Sequence, residues 1–179
     1  LKYFGDGYQI SKRIDKKRFW RIPVMDGEFL CEEMTARIPA IGGGNFLLLS
    51  KNRASCLSAC EIAVKVMSKI DNIITPFPGG VVRSGSKVGS KYKALIASTN
   101  DAFCPSLSGI TGSKLHKSVN CVMEIVINGL TKEDIDKGIR ESLIAISKSK
   151  YKKDIVSVSA GNYGGKLGQH HFHLRKILK

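Results

Sequence analysis

Apolar and polar positions divide the chain into an irregular, β-rich start followed by two strand–helix–strand stretches. Within residues 1–35, Phe19-Trp-Arg-Ile-Pro-Val-Met-Asp-Gly-Glu-Phe-Leu30 reads as a hairpin turning at Asp26-Gly27. Pro23 has no N–H for a ladder and suits an edge strand. After Gly42-Gly-Gly44, Asn45-Phe-Leu-Leu-Leu-Ser50 is a short apolar strand, and the pattern from about Lys51 to Ile70 is helical. Leu57, Cys60, Val64 and Met67 fall on one stripe of that helix, with Lys65 and Lys69 off it. Ile73–Val82 is extended and broken by Pro76 and Pro78. A polar, Gly- and Ser-rich stretch then runs to about Asn120. Connections of that length in a compact domain are usually functional or disordered.

The second stretch opens on Val119–Ile127, a strand that is apolar on both faces except at one position. Cys121, Met123, Ile125 and Ile127 point one way; Val122, Glu124 and Val126 point the other. Strands apolar on both faces are usually buried, and an unpartnered buried carboxylate is costly and has a raised pKa. Glu124 therefore has a partner that keeps it charged, or is held partly protonated as a proton-transfer catalyst requires, or lies near a strand end and reaches solvent or a Lys. Thr131 caps the following helix, with Asp134 three residues on as a capping-box variant. Ile135, Ile139, Leu143 and Ile146 form its apolar stripe, with acids in its first turn and lysines after its last. Asp154–Ser159 is the next strand, and His171-Phe-His-Leu-Arg175 suggests one more. The whole predicts an α+β fold: a ferredoxin-like split-βαβ sandwich over residues 41–179, with an N-terminal β-hairpin extension over residues 1–40 as a connecting segment.

Composition narrows the class. At 179 residues, 42% hydrophobic and 25% charged, the chain has ordinary globular values, and no run approaches the roughly 18 apolar residues of a membrane span. Five scattered cysteines without a C-x-x-C pair argue against a disulfide framework and fit a reducing cytosol. Cys56 and Cys60 are one helical turn apart but lack matching ligands, so no metal site is expected there. The net charge of +14 is spread over the length, with a short cluster at Lys148-Ser-Lys-Tyr-Lys-Lys153. Aromatic residues lie mostly away from that cluster, which disfavours a nucleic-acid surface and leaves attraction of anionic small molecules or a solvated surface.

Several motifs fail on inspection. Gly80-Val-Val-Arg-Ser-Gly85-Ser86-Lys87 has Ser86 where a P-loop needs its Lys. Gly42-Gly-Gly44 precedes a strand and has Leu47 where a dinucleotide fingerprint needs its third glycine. Gly161-Asn-Tyr-Gly-Gly-Lys-Leu-Gly168 is a chain reversal, or an anion-binding nest helped by Lys166. His170, His171 and His173 lack acidic or Cys partners nearby. Cys104, in a polar loop before Pro105, is a nucleophile only if a base pairs with it. Ser98-Thr-Asn-Asp-Ala-Phe-Cys-Pro105 gathers hydroxyl, amide and carboxylate groups around one aromatic, as a site for a polar heterocycle or as a self-bonded turn.

Taken together, Phe4-Gly-Asp-Gly-Tyr-Gln9, Gly43-Gly-Asn-Phe46, Pro76-Phe-Pro-Gly-Gly80, Ser86-Lys-Val-Gly-Ser-Lys91, Ala97-Ser-Thr-Asn-Asp-Ala-Phe-Cys-Pro105, Cys121–Leu130 and Ser159-Ala-Gly-Asn-Tyr-Gly-Gly-Lys-Leu-Gly-Gln169 resemble, in order, the formylmethanofuran–tetrahydromethanopterin formyltransferases. The resemblance covers the second half of the family pattern, labelled here the C-terminal, distal lobe, and the opening at Leu1 reads as a start within something longer. It implies a cytoplasmic, homo-oligomeric (dimeric or tetrameric) enzyme of archaeal methanogenesis and related one-carbon metabolism, with no bound cofactor, metal, nucleic acid or membrane. Methanofuran and tetrahydromethanopterin would be its carrier substrates. Glu124 matches the family's catalytic glutamate. Lys87, Lys91 and Lys166 are candidates for the carriers' acidic tails, and Asn45, Asn100 and Asp101 for orienting their polar groups. The alternative is a non-catalytic or split-enzyme lobe that assembles with a partner chain, including a formyltransferase/hydrolase complex. Two features depart from the family pattern: the basic surface, and the basic stretch Ser106–Lys117 where an acidic loop is expected.

Overall fold

A computed structural model describes residues 1–83, 85–162 and 168–179. Residues 1–39 and 40–179 form separate units. In the first, β1 (Ile10–Ile14), β2 (Lys17–Val24) and β3 (Gly27–Glu32) make an antiparallel sheet in that order. The expected hairpin is present with its turn one residue earlier, because Val24 pairs with Gly27 and leaves Met25-Asp26 as the loop. Strand β1 has no apolar alternation to announce it; all five of its residues are exposed. Pro23 lies on the central strand but beyond Arg21, the last residue that β1 reaches, so β2 is locally an edge there.

The second unit contains β4 (Ile41–Ser50), α1 (Arg53–Met67), β5 (Ile73–Ile74), a small hairpin of β6 (Ser86–Val88) and β7 (Ala97–Thr99), β8 (Cys121–Gly129), α2 (Lys132–Lys148), β9 (Ile155–Ser159) and a helical turn, α3 (Leu174–Ile177). Its main sheet has the order β5-β8-β4-β9, and every neighbouring pair is antiparallel. Strand β4 begins before the apolar run: the triple glycine is part of it, with an irregular register between Ile41 and Gly44 and Gly43 at φ 81°.

The sheet is covered on both sides, which is why β4 and β8 are apolar on both faces. Phe46, Leu48, Met123, Ile125 and Ile127 share one core with α1 and α2. On the other face Leu47, Leu49 and Val122 pack with Val119, Phe103 and Leu115 from the long connection. The described residues of that connection thus cover this face of the sheet and carry the β6–β7 hairpin.

Helix α1 starts where Asn52 accepts the Ser55 N–H at 2.8 Å. Its buried face is Cys56, Ala59, Cys60, Ala63 and Met67, whereas Leu57, expected inside, is 41% exposed. The stripe is rotated because the two helices approach closely through small residues. Ser142 of α2 is buried, and its hydroxyl donates to the Ala63 carbonyl at 3.3 Å. In α2 the expected Ile135, Ile139, Leu143 and Ile146 are all buried, and the Thr131–Asp134 capping box is complete. Thr131→Ala removes the side-chain cap and is expected to cost about 0.5–2 kcal/mol in urea unfolding.

Residues 171–175 form no strand. The Asn162 side chain donates to the Phe172 carbonyl and accepts its N–H, both at 2.9 Å, satisfying the backbone groups a strand partner would otherwise take. Buried Phe172 joins the helix-side core, and α3 begins two residues later.

Candidate active site

Glu124 lies on the sheet face opposite the helices and is 5% exposed. Its strand position sets this. Leu47 of β4 is directly across from it, Asn45 sits diagonally across on the same face, and an isolated bridge to Val82 flanks it on the other side. The Asn45 side chain, also 5% exposed, donates its Nδ2–H to Glu124 Oε1 at 2.6 Å. The backbone N–H of Ser86 also supports the carboxyl. Both donors favour the charged form, but burial outweighs them and holds the Glu124 pKa above the ordinary carboxylate value. Of the alternatives open from sequence, the solvent-reaching strand-end residue is excluded. The structure combines the other two: Glu124 has partners and is still shifted toward protonation.

A cavity of about 30 Å³, room for roughly one water molecule, is lined by Glu124 together with Arg83, Asn100, Phe103 and Cys104. A second cavity of about 380 Å³ shares Leu47, Asn100 and Phe103 with it and adds Lys87, Lys114, Ser159 and Gly161. Its size suits part of a small-molecule ligand, and Lys114 gives it positive character.

The sequence candidates divide into four groups. Glu124, Asn45 and Asn100 come together here. Lys87 and Asp101 are near, but each engages the other in an ion pair, and Lys87 holds the Asp101 carboxyl below its usual range. Lys91 is exposed on the connection after β6, lies over the Tyr92 ring and lines neither cavity. Lys166 lies outside the described residues. Arg83 and Lys114 were not picked out from sequence, since nothing in their local pattern separates them from the many other basic residues. Among the described residues, no group of three or more His, Cys, Asp and Glu side chains could hold a metal ion. His171 and His173 stack on each other, with centroids 6.4 Å apart. Cys56 and Cys60 are buried, and the Cys56 thiol is pushed well above its usual value by the neighbouring Cys60 and by burial. Burial raises the Cys121 thiol to about 11. Cys104 is half-buried, donates to the Asn100 carbonyl at 3.3 Å and approaches the Thr99 hydroxyl at 3.7 Å; neither group is a base.

Similarity to known proteins is extensive. The chain is 61% identical over 99% of its length to the formylmethanofuran–tetrahydromethanopterin formyltransferase of Methylobacillus flagellatus, covering 59% of that protein. It is 60% identical over 99% of its length to the protein of the same name from Methylococcus capsulatus, covering 60% of it. These matches are to bacteria, so the archaeal origin expected from the resemblance gains no support. The structure superposes, at TM-score 0.79 and 49% identity, on the crystal structure of the formyltransferase/hydrolase complex from Methylorubrum extorquens in complex with methylofuran, covering 99% of this chain and 60% of that one. The chain thus spans about three fifths of the length of the relatives it matches. A family model described as "FTR, proximal lobe" matches residues 27–177, and its term proximal replaces the distal label given above. On that match the chain belongs to the FTR family, the formylmethanofuran–tetrahydromethanopterin formyltransferases.

Proposed function

We propose that this chain transfers a formyl group from formylmethanofuran to tetrahydromethanopterin, with Glu124 as the proton carrier. The observation that carries the reading is Glu124 itself: buried, hydrogen-bonded through Asn45, raised above the usual carboxylate range and beside a larger cationic cavity. The names of the relatives support the choice of reaction.

In the reaction the pterin nitrogen attacks the formyl carbon, and the carbonyl pair moves to oxygen. The Glu124 carboxylate takes the proton from the attacking nitrogen. Collapse re-forms the carbonyl and breaks the bond to the methanofuran nitrogen, which leaves as an amine with the proton returned by Glu124. A carboxyl titrating nearer neutrality serves both half-steps better than one fixed in either form. Asn100 and the Lys87–Asp101 pair orient polar groups of the carriers. Lys87, Lys91 and Lys166 attract their acidic tails. Asn45 faces Glu124.

We assign the second unit to the ferredoxin-like split-βαβ class. The β-α-β-β-α-β order of its main-sheet strands and two long helices, the sheet order β5-β8-β4-β9 and the two helices in one core support this. Residues 1–40 are the connecting segment. The protein works in the cytoplasm as a dimer or tetramer, without a permanently bound cofactor. A second reading is favoured by the superposition on a multi-subunit complex: the chain acts as one component of such an assembly. Co-elution with partner chains in gel filtration, and activity only in their presence, would select it.

The direct test is incubation with formylmethanofuran and tetrahydromethanopterin, following the formylated pterin. No product from the chain, alone or combined with a chain that supplies the rest of the relatives' length, overturns the assignment. Cys104 supplies a further check, since it lines the Glu124 cavity without being asked to react. A bulky maleimide on Cys104 is expected to slow turnover at least tenfold, and carrier substrates to protect against it. Cys104→Ser should keep near-normal activity and resist the reagent, as peptide mapping would show.

A further inference from the structure

Asn45 was a candidate for contacting substrate, but both ends of its side-chain amide are already used. Its Nδ2–H donates to Glu124 Oε1 at 2.6 Å, and its Oδ1 accepts the backbone N–H of Gly161 at 2.7 Å. The orientation is fixed by chemistry. An N–H can be answered only by the amide oxygen, so the amide nitrogen must face the carboxyl. A flipped amide would set oxygen against oxygen at Glu124 and nitrogen against N–H at Gly161.

Residue 161 must also be small for the arrangement to exist. A Cβ there would lie 2.7 Å from Asn45 Nδ2 and 2.9 Å from Oδ1. Those atoms have no free path of retreat, since the side chain is 5% exposed and tied at both ends.

We infer that Asn45 and Gly161 form a clasp that positions Glu124, making Asn45 a positioning residue and not a substrate contact. The clasp keeps Glu124 Oε1 as an acceptor in both protonation states, which favours the proton on the other oxygen. It also ties the end of β9 to β8 through β4, because Gly161 follows Ser159 by two residues and β4 is the common neighbour of both strands. The catalytic consequence rests on the proposed formyl transfer; the clasp itself does not.

The test therefore separates the two. In protein labelled with ¹³C at glutamate side-chain carboxyls, the Glu124 signal is identified by its loss in Glu124→Gln and titrated in the full chain. In the wild type, the Asn45 side-chain NH₂ resonances should move with the same midpoint as the Glu124 carboxyl. In Asn45→Ala and Gly161→Ala the Glu124 midpoint should rise by about one pH unit, because a donor that favours the charged form is lost or displaced. Asn45 resonances that ignore the Glu124 titration, or a Glu124 midpoint unmoved or lowered in either folded variant, overturn the clasp. The wild-type measurement stands even if a variant does not fold. In the activity assay, both variants should lower kcat by about ten- to a hundredfold, leave KM within about twofold and move the carboxyl limb of the kcat–pH profile upward. A rise in KM alone would return Asn45 to the substrate contacts. Clasp behaviour by NMR without any formyl transfer would sink the proposed function and leave the clasp intact.

Discussion

Glu124→Gln is expected to reduce formyl transfer by about 10²–10⁴-fold while leaving the protein folded, because it removes the proton but keeps the acceptor that Asn45 binds. Steady-state rates with both carriers and the thermal unfolding midpoint check the two halves; a variant turning over at the wild-type rate would remove Glu124 from the chemistry. The same substitution has a stability signature with a definite sign. In the folded protein the Glu124 pKa lies above its ordinary 4.5. The native state therefore binds its proton more tightly than the unfolded chain. Wild-type stability from this group is fully present below about pH 4.5 and is lost as pH rises through the folded pKa. Gln does not titrate, so the stability of Glu124→Gln relative to wild type should grow between pH 4 and pH 8. Urea unfolding at both pH values checks it, and a gap that shrinks with rising pH would contradict the raised pKa.

Phe46→Ala should destabilise the second unit by about 3–5 kcal/mol, since it empties a fully buried site in the helix-side core. Leu57→Ala, one turn into α1, should cost less than about 1 kcal/mol because Leu57 is 41% exposed. The pair distinguishes the observed face of α1 from the face its large apolar residues suggest. Comparable losses from both substitutions in urea unfolding would restore Leu57 to the core.

Sequence patterning located β8, α2 and its cap because those signals are local. A capping box is read within four residues, and a stripe of four large aliphatics has little ambiguity about its inside. Helix α1 shows where such reading ends. Its buried side is built mostly from Ala and Cys, with Met67 at its end, and hydropathy favours the larger Leu57. The segment around Phe172 shows the same limit: the backbone partners of Phe172 are on Asn162, ten residues away, and strand propensity carries no word of them.

The site divides along the same line. Glu124 stood out in sequence as one carboxylate on an otherwise apolar strand, and the oddity followed from alternation alone. Neither its burial nor its proton affinity did. Both depend on what covers that face of the sheet, and the cover comes from Val82, Phe103, Leu115 and Val119 in a stretch whose polar, glycine-rich composition reads as loop. Lys87 and Asp101 were each legible as polar candidates, yet only the hairpin that folds residue 87 back toward residue 101 makes them an ion pair.

By itself, then, the amino-acid order determined the strand–helix–strand pattern, the capped helix and the single carboxylate out of place, since each depends on neighbours a few residues apart. The tertiary structure decided that Glu124 is buried and that Asn45, 79 positions away, holds it against Gly161. Those properties arise from solvent exclusion and hydrogen-bond geometry between β4, β8 and the end of β9, which adjacent residues do not encode.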